Sequence, residues 1–226
     1  MKLKSLSLLL LIPATVIGIT SSSSAARSRT PLAHYLPADK VAPLVEEVIV
    51  EKPIPFHEQV LPLADLIAKG EGDWNAVNRG WAGDTPGGIQ RLTGKTFENF
   101  TVGQVMDMQR SWLFAVGRYQ FIPRTFKFAV AHSSVTRLDM FTPETQNKLF
   151  AALLVHKRPV IAQYLTGEHN SINAALRALA REWASVEYLG YGRGRGYYNH
   201  IGGNRAHITW QHAAAVLNKV RDTILL

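Results

Sequence analysis

The chain has 226 residues, of which 46% are apolar and 19% charged, and it contains no cysteine. This composition excludes a largely disordered or collagen-like chain, and the lack of cysteine excludes disulfides, thiolate metal sites and a thiol nucleophile. The formal net charge is +8, and residues 188–226 carry five Lys and Arg residues against one Asp. Such an excess favours anionic partners, which include nucleic acid, membrane lipid and acidic cell-wall polymers.

The first 26 residues have the layout of a secretory signal peptide. Lys2 and Lys4 form a basic start, Leu8–Ile19 is an apolar run, and small residues end the segment. The run is shorter than the roughly 20 apolar residues that span a membrane. We therefore expect export with cleavage, and no stable membrane span afterwards; a retained N-terminal anchor is the alternative.

Residues 27–57 contain five prolines and no sustained apolar period, which predicts an extended linker or a surface arm. From residue 58 to the C-terminus the pattern is mainly helical, so we expect a third segment, 58–226, to form one mainly α domain. A first helix is predicted from His57 with Gly70 at its end. One short β-hairpin is expected within residues 72–100.

Four hydroxyl residues predict the starts of later helices. Thr101 opens a capping box with Gln104, and Thr142 precedes a proline at the first helical position. Ser171 and Thr209 precede two further amphipathic stretches. Glycine-rich and aromatic loops separate these helices, at residues 71–92, 115–123 and 188–203.

Glu71 is the first candidate for chemistry, because it lies where an apolar helix ends and a glycine-rich loop begins. The negative end of the helix dipole disfavours ionisation there, and removal of water by a neighbour such as Trp74 would raise the pKa further. A carboxyl group that stays protonated near neutral pH can protonate a glycosidic oxygen. An exposed loop glutamate is the ordinary alternative.

Two further segments combine aromatic and polar side chains. In the run Val116–Pro123, Tyr119 offers a stacking face and Gln120 an amide that can donate and accept hydrogen bonds. Such a run is typical of a sugar-binding cleft, or of a loop whose tyrosine is in the core. The second segment joins Trp183 to a tyrosine cluster that could line a polysaccharide groove or stack on nucleic acid; its members are Tyr188, Tyr191, Tyr197 and Tyr198.

Taken in order, these segments resemble the phage lambda endolysin family, which are lysozyme-like lytic transglycosylases. The resemblance rests on Glu71-Gly72, Gly117-Arg-Tyr-Gln120, Phe141-Thr-Pro143, Trp183-Ala-Ser185 and Gly190-Tyr-Gly192, and it runs from about residue 58 to the C-terminus. It implies an α+β lysozyme-like fold with a substrate cleft. It departs from the family in the loop 75–99 and in a longer segment 188–208.

The resemblance implies cleavage of the MurNAc–GlcNAc β-1,4 bond of peptidoglycan. Glu71 would protonate the leaving oxygen and then act as base while the muramyl 6-hydroxyl attacks its own anomeric carbon, giving 1,6-anhydro-MurNAc. Tyr119, Gln120 and Tyr191 would bind substrate, and no metal or organic cofactor is implied.

Other functions remain open at this point. A hydrolytic muramidase needs a second carboxylate, for which Asp73 and Asp84 are the candidates; the spacing of T4-type lysozyme fails, because Gly80 and Pro86 stand where it has Asp and Thr. A non-catalytic wall-binding module is a further alternative. His-x-x-x-His, His-Glu-x-x-His and Gly-x-Ser-x-Gly motifs are absent, which disfavours a zinc amidase and a serine hydrolase.

We expect a periplasmic or extracellular location, with peptidoglycan glycan strands as the partner. Export argues against nucleic acid. The proline-rich arm could dock a secretion, conjugation or phage assembly, or it could be a spacer.

Overall fold

The computed structural model describes residues 53–81, 85–201 and 204–226. They belong to one compact unit, Val50–Leu226. The predicted signal peptide, nearly all of the predicted arm, and Asp84 lie outside the described residues. The boundary placed at residue 58 stays a prediction, although the first described helix begins at Phe56.

The described part of the chain is mainly helical, as expected for this α+β class. Its α-helices and two short strands, in chain order, are α1 Phe56–Gln59, α2 Leu61–Glu71, β1 Val77–Asn78, α3 Gly88–Thr93, α4 Val102–Ser111, β2 Ala115–Val116, α5 Pro123–Ala131, α6 Pro143–Ala152, α7 Pro159–Leu165, α8 Ile172–Ala180 and α9 Trp210–Leu225. A 3-10 turn covers Phe97–Asn99, and one π-helical turn, Leu153–Lys157, continues α6.

Helix starts agree with the predicted caps. The side chains of Thr101, Thr142, Ser171 and Thr209 each accept a hydrogen bond from a backbone N–H in the first turn of α4, α6, α8 and α9. Each such bond satisfies a donor that has no partner inside the helix. The first predicted helix differs, because it breaks at Val60 and resumes with Pro62 in the first turn of α2.

The small antiparallel sheet pairs β1 with β2, with Val77 opposite Val116. The expectation of a hairpin within residues 72–100 is therefore wrong in one respect, because the second strand comes from residues 115–116. The pairing instead holds the loop after Glu71 against the segment that contains Gly117–Gln120.

The core is built on α2, which packs against α6 and α9, while α8 packs against α7 and α9. One side of α2 is buried along its length, at Leu63, Ala64, Leu66 and Ile67. A cluster of aromatic rings fills the space between the β2 turn and helices α5 and α6: Tyr119, Phe121, Phe126, Phe141 and Phe150. Among the described residues no helix has both the length and the apolar character needed to cross a membrane.

Candidate active site

Glu71 is the last residue of α2, and a close helix contact fixes its position. A Cβ added to Gly70 would lie 2.4 Å from Ser185 Cβ, so only glycine allows the end of α2 to approach Ser185 this closely. At this contact the Ser185 backbone N–H donates a 3.2 Å hydrogen bond to Glu71 Oε1. The contact joins residues that are 114 positions apart in the chain.

Burial raises the pKa of the Glu71 carboxyl above its ordinary value of 4.5. The Ser185 side chain and backbone and the charge of His207 lower that pKa, but they do not outweigh the removal of water. The side chain nevertheless remains partly accessible to solvent, since it lines an open cleft. Glu71 thus keeps its proton to a higher pH than an ordinary glutamate, and a ligand can reach it; both properties suit a general acid.

The Ser185 hydroxyl is the second unusual group at this point. It is buried beside Glu71 in the cleft lining, but among the described residues its oxygen has no partner at regular hydrogen-bond geometry. Buried polar atoms usually have a partner. The Ser185 hydroxyl acts on the neighbouring Glu71 carboxyl, whose pKa it lowers.

Residues Gly117–Gln120 form a tight turn between Val116 and Phe121, whose backbones exchange two hydrogen bonds. Gly117 has φ 73°, and a Cβ there would lie 2.6 Å from Gln146 Oε1. That oxygen instead accepts a 2.8 Å hydrogen bond from the Arg118 N–H. A side chain at residue 117 would displace this contact, so the turn requires glycine.

The turn directs Gln120 into the same cleft as Glu71. Gln120 has φ 48°, the one positive φ of a non-glycine residue in the described part of the chain. Its side-chain amide donates a 3.0 Å hydrogen bond to Gly117 O and lies beside Gly72, the residue after Glu71. Left-handed backbone at a bulky residue costs of order 1 kcal/mol and recurs at functional sites.

Tyr119 belongs to the cleft lining but is almost fully buried, and its expected role in substrate binding stays a prediction. Its side chain is 1% exposed, and its ring packs against Phe121 and Phe150. Its hydroxyl hydrogen-bonds to Asn147, and burial raises its pKa to about 12. Alternate direction of side chains around a tight turn places Tyr119 in the core and Gln120 in the cleft, so Tyr119 supports the cleft wall.

The tyrosine cluster contributes one residue to the cleft, Tyr198, whose hydroxyl donates a 2.8 Å hydrogen bond to Arg181 O. Tyr191, the predicted ligand contact, is half exposed, lies outside the cleft lining, and packs against Tyr188. Its role in substrate binding stays a prediction. The cluster as a whole is held by Glu187, a buried carboxylate that accepts hydrogen bonds from the N–H groups of Gly194 and Trp210.

The cleft has a volume of about 980 Å³, at the upper end of the about 300–1,000 Å³ that is usual for ligand pockets. Its walls come from the end of α2, the β1–β2 region, the π-helical turn, and the segment after α8. The side chains on these walls that can bind or react include Glu71, Asp73, Gln120, Lys157, Arg158, Arg181, Glu182, Tyr198, Arg205 and His207.

Three described carboxylates line the cleft, and their surroundings differ. Glu182 is 3% exposed and holds ion pairs with Lys157 at 2.6 Å and Arg158 at 2.8 Å, so both its oxygens are occupied. Asp73 is exposed, and its Oδ1 accepts a 2.8 Å hydrogen bond from the Asn75 N–H. Only Glu71 combines a raised pKa with access to the cleft.

Sequence reasoning missed Glu182, His207 and Gln146 as parts of this site. Gln146 is buried below the turn, where its amide donates to the carbonyl oxygens of Trp74 and Phe141. No local pattern marks these residues, because their partners lie 5 to 72 positions away along the chain. Ser185 was within reach of sequence reasoning, since it belongs to the segment Trp183–Ser185 used for the resemblance.

These features define a mainly helical domain with an open cleft of about 980 Å³, lined by a carboxyl group, Glu71, whose pKa is raised by burial. The family model described as Endolysin matches residues 63–204. That match spans more than half of the chain, and the protein belongs to the endolysin family. No curated protein and no solved structure matches it. Membership supports an enzyme that degrades cell-wall peptidoglycan.

Proposed function

We propose that the protein is a lytic transglycosylase that cleaves the MurNAc–GlcNAc β-1,4 bond of peptidoglycan and forms 1,6-anhydro-MurNAc. The observation that carries the proposal is that, of the cleft carboxyl groups within the described residues, Glu71 alone has a pKa raised by burial. The wider setting, export to the periplasm or cell exterior and docking to an envelope or phage assembly, belongs to the same proposal and rests on the sequence of residues 1–57.

In the first step Glu71 acts as general acid. Its proton moves to the glycosidic oxygen, the bond from that oxygen to C1 of MurNAc breaks, and the GlcNAc side leaves as an alcohol. Positive charge develops at C1 and the ring oxygen in this step. The Ser185 N–H stabilises the carboxylate that remains, and the charge of His207 acts in the same direction.

In the second step the Glu71 carboxylate takes the proton from the muramyl 6-hydroxyl while O6 bonds to C1. This regenerates the protonated acid and consumes no water. The nucleophile belongs to the substrate, so one protein carboxyl group is sufficient. Gln120, whose amide lies beside Gly72 in the cleft lining, would bind the sugar through that amide.

The alternative is hydrolysis by a muramidase mechanism, which needs a second carboxylate to activate water or attack C1. Asp73 supports this alternative because it lines the same cleft and is exposed. Asp84 is the other candidate from the sequence. Glu182 does not fit, since its two oxygens are paired with Lys157 and Arg158.

Product analysis separates these reactions. Digestion of purified peptidoglycan should yield muropeptides that are lighter by one water than reducing-end products, as mass spectrometry detects. Strands acetylated on the muramyl 6-hydroxyl should resist, because their nucleophile is blocked. Dominant reducing-end products would refute the transglycosylase and favour Asp73 or Asp84 as the second group.

Replacement of the acid tests whether the chain catalyses at all. Glu71→Gln keeps the shape but removes the transferable proton, so lysis should fall by about 10²- to 10⁴-fold, with an unchanged circular dichroism spectrum. Asp73→Asn is the matched control and should keep most of the activity. Near wild-type lysis by Glu71→Gln would contradict the assignment, and wall binding without lysis by the wild type would favour the binding module.

A further inference from the structure

Three cations line the cleft close to the buried carboxylate of Glu182, and two of them pair with it. Lys157 and Arg158 pair with Glu182, and Arg158 also donates to Arg181 O at 2.7 Å. The Arg181 side chain donates to Tyr188 and lies over that tyrosine ring. We call Lys157, Arg158 and Arg181 the cationic cluster.

The contacts described for the cluster leave some of its donors unused. The Lys157 ammonium has three N–H donors, and only Thr125 and Glu182 accept from it among the described residues. The Arg158 guanidinium has five, and only Glu182 and Arg181 O accept from it in the same part of the chain. Both side chains are between a quarter and a third exposed, so these donors can reach a ligand.

The charges of the cluster are not balanced. Lys157 and Arg158 share the Glu182 carboxylate, and Arg181 adds a third positive charge to the same cleft lining. A cleft wall that excludes part of the solvent strengthens their field. A half-buried excess of positive charge is unfavourable unless an anion offsets it. The cluster therefore favours a ligand that carries a negative group.

The backbone at the cluster is also irregular. Lys157 ends the π-helical turn Leu153–Lys157, and Arg158 follows in a non-helical conformation before α7 begins. Isolated π-turns inside helices are rare and often occur at functional sites. In a regular helix, consecutive side chains point about a quarter turn apart. Here the irregular backbone lets Lys157 and Arg158, which are consecutive, both pair with Glu182.

We propose that the cationic cluster binds a carboxylate of the substrate, beside the glycan that occupies the Glu71 part of the cleft. The nature of the polymer rests on the proposed function, whereas the preference for an anion rests on the cluster itself. In peptidoglycan the sugar rings are neutral. The carboxylates are carried by the stem peptide, and the lactyl group becomes a carboxylate when the peptide is removed.

Equilibrium binding to three soluble glycans of equal length tests the proposal, with the Glu71→Gln protein to prevent turnover. The glycans are peptidoglycan strands with stem peptides, the same strands after amidase treatment, and chitooligosaccharides, which carry no carboxylate. We expect the chitooligosaccharide to bind about 10-fold or more weakly than the tightest ligand. The peptide-bearing and amidase-treated strands then tell which carboxylate occupies the site. Equal binding of all three would overturn the proposal.

Substitutions test whether the cationic cluster causes the preference for carboxylate-bearing glycan. Arg158→Gln keeps the Lys157–Glu182 ion pair and should reduce the preference for carboxylate-bearing glycan by about 10-fold, while binding of chitooligosaccharide is unchanged. Arg177→Gln is the matched control, because Arg177 is exposed on α8 and outside the cleft lining. An unchanged preference in Arg158→Gln, with a melting temperature near that of the parent, would also overturn the proposal.

Failure of this proposal and failure of the proposed function give different results. If Glu71 is not the catalytic acid, the Glu71→Gln protein degrades the glycans, and size analysis of the recovered ligand detects it. The comparison of affinities between glycans is still valid in that case if it is made at low temperature and short times. If the cluster does not bind carboxylates, lysis by the wild type is unaffected while the three affinities coincide.

Discussion

Replacement of Gly70 by alanine tests the helix contact that positions the catalytic group. The new Cβ would lie 2.4 Å from Ser185 Cβ, 2.7 Å from Ser185 Oγ and 3.3 Å from Ile208 Cδ1. Carbon atoms in contact are normally about 3.5–4.0 Å apart. The end of α2 and the Ser185 segment must therefore separate by roughly 1 Å.

Two effects on stability oppose each other in Gly70→Ala. Alanine in place of glycine favours the helix by about 0.8–1 kcal/mol, whereas overpacking of a buried contact costs about 1–3 kcal/mol. The steric effect is larger, so we expect a net loss of free energy of unfolding of about 1 kcal/mol. The effect on catalysis should be greater, because the 3.2 Å hydrogen bond from Ser185 N to Glu71 is broken, and a displacement of about 1 Å can cost about 100-fold in rate.

The assay is lysis of purified peptidoglycan together with urea denaturation of the same protein. A rescue variant supplies the control: Ser185→Gly in the Gly70→Ala background removes the two nearest atoms, keeps the Ser185 backbone N–H, and should restore much of the stability. Ser185→Gly alone gives the baseline for the lost hydroxyl. A Gly70→Ala protein that is more stable than the wild type and fully active would refute the reasoning.

Three further predictions concern the carboxyl groups and the strained turn. Because burial raises the pKa of Glu71, the stability contributed by its proton is fully present below about pH 4.5 and is lost as the pH rises through the folded pKa, by about 1.4 kcal/mol per pH unit. The Glu71→Gln protein should therefore gain stability relative to the wild type over that pH range. Parallel pH profiles of the two proteins in urea denaturation would contradict this. Gln120→Ala should lower turnover by roughly 10- to 100-fold. Gln120→Gly should lower turnover by the same factor but be about 1 kcal/mol more stable than the alanine variant, since glycine relieves the φ of 48°. Equal stability of the two variants would argue against strain. Glu187→Gln should cost about 1–3 kcal/mol of stability, because an amide N–H₂ group would face one of two backbone donors. The control variant Glu98→Gln, at an exposed position, should change the stability by less than about 0.5 kcal/mol. Equal denaturation midpoints of the two variants would refute the role of Glu187.

Helix starts could be predicted from the sequence because their determinants are local. A cap depends on one side chain and a backbone N–H two or three residues later, and all four predicted caps are confirmed. The break in the first helix was also within reach, because Pro62 is favoured in the first turn of a helix. The start of α2 at Leu61 instead of His57 follows from that proline.

Other features depend on contacts between distant segments and could not be read from a local pattern. The partner of β1 lies at residues 115–116 because Val77 and Val116 are both buried and pair there. The burial of Tyr119 depends on Phe121 and Phe150, which no periodicity places beside it. The ion pairs of Glu182 depend on a π-helical turn that has no known sequence signal here.

Four of the five sequence segments used for the resemblance form or support the cleft, and this gives their order a physical meaning. Glu71-Gly72, Gln120 and Trp183–Ser185 all line the one cleft around the acid. The segment at Phe141 does not line it, but Gln146 connects the Phe141 carbonyl to the Arg118 N–H and so holds the Gly117–Gln120 turn. A glutamate at a helix end is a weak signal by itself, because its pKa is set by what packs around it. The order of the segments carries more information, since all of them except Gly190-Tyr-Gly192 supply a wall of the cleft, or the support of a wall, around the Glu71 carboxyl, whose pKa is raised by burial.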